Sequence, residues 1–199
     1  MPLAEEIAGE ASWFQELLGL PDGVVANPRI GLRRWRFRSY RAEANLQVSA
    51  EWPLVELHHN GGIAFAVELT GTIRRSNLYA VEDPDVHWVP VRAMDLLVSA
   101  GVALASSHIR ELGGTGTIVA RAGLLTGGST PQRHLIAAER AAPGSSLLER
   151  VGGSAPVRAP AAVEATFAAD SDFAALRDTA RQLAEDLNHQ FGKPSCSLP

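Results

Sequence analysis

The spacing of hydrophobic positions changes several times along this chain, and each change predicts an element. Leu3, Ile7, Ala11, Phe14 and Leu18 recur at three- or four-residue intervals, which predicts an amphipathic helix over 3–18, ended by Gly19 and Pro21. A turn-rich passage through Asp22-Gly23 and Asn27-Pro28 follows. From residue 31 to about 70 the period becomes two, as in Leu46 and Val48 alternating with Asn45, Gln47 and Ser49, and a meander of strands is expected. Within it, 54–59 and 63–69 flank Asn60-Gly61-Gly62, the pattern of an antiparallel hairpin with Ile63, Phe65, Val67 and Leu69 on one face.

Further along, Val86–Val89 reads as a short strand closed by Pro90. Met94, Leu97, Val98, Gly101, Ala105, Ile109 and Leu112 then share one side of a helix over 91–112, stopped by Gly113-Gly114. A strand over 115–125 is centred on Ile118, Val119 and Ala120. Residues 126–160 are rich in Gly, Ser and Pro, so a mostly exposed connection with one short element is expected. Then come a strand over 162–168 and a helix capped by Asp170, Ser171 or Asp172, with Phe173, Leu176, Ala180, Leu183, Leu187 and Phe191 as its apolar face. This order predicts an α+β fold: a predominantly antiparallel sheet with two long helices packed on one face, plus the N-terminal helix. It divides the chain into a helical attachment (1–28), one α+β domain (29–192) and a flexible tail (193–199).

Charge changes the picture in one place. Arg29-Ile30-Gly31-Leu32-Arg33-Arg34-Trp35-Arg36-Phe37-Arg38-Ser39-Tyr40-Arg41 holds six arginines and no acid in a chain of net charge −4, which leaves −10 on the other residues. A strand here sends Arg34, Arg36 and Arg38 to one side and Trp35 and Phe37 to the other, with Tyr40 on the arginine parity. Planar guanidinium groups suit bidentate contacts to carboxylate or phosphate. The candidate polyanion-binding or interface residues are therefore Arg33, Arg34, Arg36, Arg38, Arg41, Trp35 and Tyr40. An alternative remains open, in which these arginines pair with the chain's own acids, such as Glu5, Glu6, Glu10 and Glu16. Arginine outnumbers lysine 17 to 1, a bias that a GC-rich coding genome produces without any selection for binding.

Other motifs carry little chemistry. His58 and His59 face opposite ways on a strand, whereas Glu56 and His58 share a face and suit a hydrogen bond or part of a metal site. Asp83, Asp85 and His87 lack the ligand pattern of a calcium loop. Gly113-Gly114-Thr115-Gly116-Thr117 follows a helix and precedes a strand, the reverse of a phosphate-binding loop. The single cysteine, Cys196, allows no internal disulfide. No nucleophile-elbow motif is present. The chain is therefore expected to be noncatalytic, without cofactor or metal. Glutamates stand where a secretory signal needs a basic start, and no apolar run reaches spanning length, so a cytoplasmic location without a membrane partner is expected.

Arg41-Ala42-Glu43 through Leu57-His58-His59-Asn60-Gly61-Gly62, then Val89-Pro90-Val91 and the alanine-rich helix into Gly113-Gly114, carry a family resemblance. Over roughly residues 41 to 191 the chain resembles the accessory region that follows AlbA- or Schlafen-type DNA-binding domains in actinobacterial proteins. It carries no recognisable copy of the DNA-binding domain itself. The resemblance implies a regulatory or interaction role and transfers no catalytic residue. Together these readings predict a protein-interaction or regulatory domain with a protein partner or a second copy of itself as its ligand, and nucleic acid or another polyanion as the alternative.

Overall fold

A computed structural model describes residues 26–31, 34–39, 54–67, 69, 86–125, 134–140 and 148–198. The helix expected over 3–18 lies outside them. The chain divides into two compact units, Met1–Gly71 and Thr72–Pro199, where the sequence reading carried one domain from 29 to 192.

The first unit contains a four-stranded antiparallel meander: β1 (Ala26–Gly31), β2 (Arg34–Ser39), β3 (Leu54–His58) and β4 (Ile63–Ala66), in that spatial order. β1 begins earlier than expected and takes in Asn27 and Pro28. Pro28 is tolerated because β1 is an edge strand of this sheet, where a missing N–H need not break a ladder. The basic segment is thus divided between two antiparallel strands, with Gly31 opposite Arg34. β3 and β4 form the hairpin expected from the sequence. Gly61 turns the chain at φ 87°, His58 N–H donates to Gly62 O at 2.8 Å, and the Asn60 side chain accepts from Gly62 N–H at 3.1 Å. Leu57 is buried, with Val55, Ile63 and Phe65 half-buried on the same parity, while Ala64 and Ala66 on the other parity are exposed.

The second unit runs β5 (Val86–Pro90), α1 (Val91–Glu111), β6 (Thr117–Ala122), β7 (His134–Arg140), β8 (Leu148–Arg150), β9 (Val163–Ala168) and α2 (Phe173–His189). Its strands make two sheets, a β5-β7-β8 sheet and a β6-β9 antiparallel pair. The α+β class therefore holds, but the described strands form three sheets instead of one. All the strand pairs are antiparallel except β5 and β7. The connection expected over 126–160 contains two strands, and Leu135, Ile136, Ala137 and Ala138 of β7 are all buried. A strand covered on both faces has no polar alternation, so period-two reasoning passes over it.

α1 and α2 pack against each other, and α2 also lies on β9 and β6. Their shared core is Val102, Ala165, Phe167, Ala180 and Leu183, with Val98, Ala105, Ile118 and Leu176 packed around it. Asp172 caps α2 by accepting from Ala175 N–H at 2.9 Å, as the sequence suggests. Two members of the expected apolar faces lie outside the core: Phe173 is 80% exposed and Leu112 48% exposed. Phe173 is the first residue of α2, before the helix reaches the core, and Leu112 lies just beyond the end of α1.

Residues 193–198, expected as a flexible tail, are docked. Asp95 of α1 is fully buried; its Oδ1 accepts from Asn188 Nδ2 at 2.7 Å, and its Oδ2 accepts from Ser197 N–H at 2.7 Å and Ser197 Oγ at 2.6 Å. The Lys193 ammonium pairs with Glu139 of β7, His189 Nε2 lies 3.1 Å from Pro194 O, and Leu198 packs against the core. These polar anchors offset the ordering entropy of a short segment that the sequence marks with Gly192 and Pro194. We expect Asp95→Ala to lower the unfolding free energy by about 3 kcal/mol, because it strands the donors of Asn188 and Ser197. Ser197→Ala, which removes one hydroxyl and keeps the backbone contact, is expected to cost about 1 kcal/mol. Denaturant unfolding of the two variants measures both.

Candidate functional site

The site follows from cross-strand register in the first sheet. Directly opposed residues on neighbouring strands share a face, and every second residue along a strand returns to it. β2 places Arg34, Arg36 and Arg38 on one parity. β1 sets Asn27 opposite Arg38, Arg29 opposite Arg36 and Gly31 opposite Arg34. β3 sets Leu54 opposite Arg38, Glu56 opposite Arg36 and His58 opposite Arg34, and β4 continues the face through Ala64 and Ala66. Four arginine positions on two adjacent strands thus share the face that carries exposed Ala64 and Ala66. The opposite parity holds Ile30, Trp35, Phe37, Val55, Leu57, Ile63 and Phe65.

Backbone geometry sets the scale of this face. Arg34, Arg36 and Arg38 are spaced by about 6.7 Å along β2, and Arg29 lies about 5 Å to the side of Arg36. The register sets Arg36 between a like charge, Arg29, and an opposite one, Glu56, so the unfavourable cross-strand opposition on one side is offset on the other. One carboxylate is already engaged there. Arg34 Nη1 donates to Glu56 Oε2 at 3.0 Å, and His58 Nε2 lies 3.6 Å from the same oxygen. Arg34 is a diagonal neighbour of Glu56, two residues from direct opposition, within reach of its long side chain. Its side chain is 39% exposed, so the pair is partly screened by solvent.

Of the residues proposed from sequence, Arg34, Trp35, Arg36 and Arg38 are on β2, with Trp35 on the parity opposite to the arginines. Arg33, Tyr40 and Arg41 lie outside the described residues. The sequence reading did not single out Arg29, because it took the basic segment as one strand. The signal was Gly31, a residue suited to the end of a strand entering a tight reversal. Glu56 and His58 do come together, as their shared parity suggests. His87 is on β5, whereas Asp83 and Asp85 lie outside the described residues. Among the described residues, no group of three or more His, Cys, Asp or Glu side chains gathers into a ligand set. Cys196 is a free thiol in the docked segment. Among the described residues, no helix is long and apolar enough to cross a membrane.

No family model matches the chain, and no curated protein or solved structure matches it.

The Arg34–Glu56 contact generates a measurable expectation. In a double-mutant cycle with Arg34→Gln and Glu56→Gln, the coupling energy should be about 0.5 kcal/mol, as for a solvent-screened pair. It should shrink in molar salt, where the Debye length falls to about 3 Å.

Proposed function

We propose that this chain is a noncatalytic interaction domain that engages an acidic protein partner through the arginine-bearing face of its first sheet. The observation that supports this reading is the register of β1, β2 and β3. It gathers Arg29, Arg34, Arg36 and Arg38 on one parity, with Glu56 as the only carboxylate among the described residues of this unit. Guanidinium groups at this spacing match an extended polypeptide with carboxylates at alternate residues, because such a strand has the same two-residue repeat of about 6.7 Å.

Nucleic acid fits the face less well. Sequence-tolerant single-strand binding combines a cationic track with aromatic platforms on the same surface. Here Trp35 and Phe37 take the parity opposite to the arginines, and β4 contributes Ala64 and Ala66 to the arginine side. A regulatory or interaction role is also what the AlbA- and Schlafen-associated resemblance implies. The guanidinium-bearing positions of the face suit charge-assisted binding of carboxylates.

The test is titration of a fluorescent glutamate-rich peptide into the full chain at low salt. Binding is expected to weaken at least about tenfold, equivalent to about 1.4 kcal/mol, when Arg34, Arg36 and Arg38 are all changed to Gln. Tighter binding of a DNA or RNA oligonucleotide of equal charge, lost in the same variant, would replace the protein partner with nucleic acid. Peptide binding that survives the triple substitution would sink the proposal.

A further inference from the structure

Hydrogen bonding in the antiparallel pair β6-β9 shows which way the backbone of β6 faces. Ala169 N–H donates to Gly116 O at 2.8 Å, and the register sets these two residues directly beyond Thr117 and Ala168. Hydrogen-bonded pairs recur at every second position of an antiparallel ladder, so Ile118, Ala120 and Ala122 direct their N–H and C=O groups toward β9. Thr117, Val119 and Arg121 direct theirs the other way, to an edge that no strand pairs among the described residues.

Burial separates the two strands. On the face turned to the helices, Ala165 and Phe167 of β9 are buried, whereas Ile118, Ala120 and Ala122 of β6 are half-buried although they pack on the same core. On the other face Val119 is 62% exposed. The β6 side of the sheet therefore lacks cover both along its backbone and at its apolar side chains. The usual protections of an edge are missing too. Residues 117–122 carry no proline or lysine, their register with β9 runs without a bulge, and their one charge, Arg121, lies 3.4 Å from Glu164 of β9.

We propose that β6 pairs with β6 of a second copy of this chain, antiparallel about a two-fold axis at Val119, so that two strand pairs join as one sheet in the order β9-β6-β6-β9. Side-chain match and charge select this occupant. With Val119 on the axis, Thr117 of each copy is opposite Arg121 of the other, and every N–H and C=O that Thr117, Val119 and Arg121 direct outward finds a partner. The two exposed valines meet on one face, and on the other Ile118 of each copy meets Ala120 of its partner, where cover is lacking. The two arginines lie about 13 Å apart along the strands, beyond the screening length of about 8 Å, and each keeps its own Glu164. Centring the pair on Ala120 would set each valine beside a charged side chain, and centring it on Arg121 would oppose the two arginines directly. A charged extended peptide finds no such match, because the only charge on this edge is already paired. Since the same strand serves in both copies, the contact closes as a dimer and propagates no fibre. It is independent of the arginine-bearing face on β1 and β2.

Sedimentation equilibrium of the full chain tests the pairing, with Val119→Lys as the disrupting variant and Thr166→Lys as its control. Val119→Lys sets two ammonium groups against each other on the axis, and the exposure of Val119 leaves the single chain able to fold around it. Thr166 is the exposed residue opposite Val119 on β9, one strand away from the edge. The wild-type chain is expected to be dimeric at about 100 μM, with a dissociation constant at least about tenfold higher in Val119→Lys and within about twofold of wild type in Thr166→Lys. Cross-linking reads the register. In a Cys196→Ser background, Val119→Cys should form an intermolecular disulfide with oxidised glutathione, because Cα atoms of a hydrogen-bonded pair lie about 5.5 Å apart, and Arg121→Cys should not. A monomeric wild-type chain at this concentration overturns the inference, as does a dimer that Val119→Lys leaves intact or that Thr166→Lys weakens equally. Cross-linking through Arg121→Cys in place of Val119→Cys also overturns it, since the axis would then lie two residues along the strand.

Discussion

Strand alternation, anchored by one buried leucine, fixes the character of the first sheet. Leu57 is buried, and the register sets it opposite Trp35 on one side and Ile63 on the other. Sliding β2 by a single residue would move every member of its apolar set to the opposite face, so the core specifies the register strongly. The Asn60-Gly61-Gly62 turn fixes the β3–β4 pairing independently through its positive φ and two backbone bonds. The shared parity of Arg34, Arg36 and Arg38 follows from that constraint. Trp35 and Phe37 share the parity of Val55 and Leu57, which assigns Arg34, Arg36 and Arg38 to the other parity, and the opposition of Arg29 and Arg36 comes from the antiparallel β1–β2 register.

The second unit is organised around a different interaction. A buried carboxylate costs several kcal/mol to desolvate and survives only when its oxygens are well supplied with donors. Asp95 receives three: the Asn188 amide, the Ser197 N–H and the Ser197 hydroxyl, all at 2.7 Å or less. Asn188 in turn donates to Ala184 O at 2.8 Å, its i−4 carbonyl within α2. One aspartate thus links α1, α2 and the segment that follows α2, which apolar packing alone would hold with less positional specificity. Lys193 adds an anchor from that segment to β7 through Glu139.

Much of this was legible in the sequence, for identifiable reasons. The β3–β4 hairpin, α1, β6, β9 and α2 all have a clean period and explicit stop signals, the Glu56–His58 neighbourhood follows from local spacing alone, and Asp172 was one of three capping candidates. The features that were not legible depend on pairing between distant segments. β7 carries Leu135 through Ala138 buried on both faces beside β5, so its composition resembles an apolar interruption in a loop. The docking of 193–198 depends on an aspartate 102 residues away from Ser197, and nothing near Ser197 announces it. Asp95 itself offered one missed signal: an acid set next to Met94 on the buried side of an apolar helix requires donors from elsewhere. For the site, alternation along β2 was readable. The added arginine, Arg29, required the hairpin.

The balance of charge bears on the kind of ligand the arginine face suits. The segment 29–41 contributes +6 to a chain whose total is −4, so the positive charge is concentrated in one stretch of sequence and the other residues carry net −10. A long nucleic acid extends well beyond a patch spanning about 13 Å along β2. A short acidic segment is complementary to the patch alone, and screening over about 8 Å hides the rest from it. Electrostatic steering acts on the rate of encounter as well, since a focused positive region attracts and orients an anionic ligand. The charge distribution and the parity of Trp35 and Phe37 support the proposed polypeptide ligand by two independent arguments, one resting on total charge and the other on strand register.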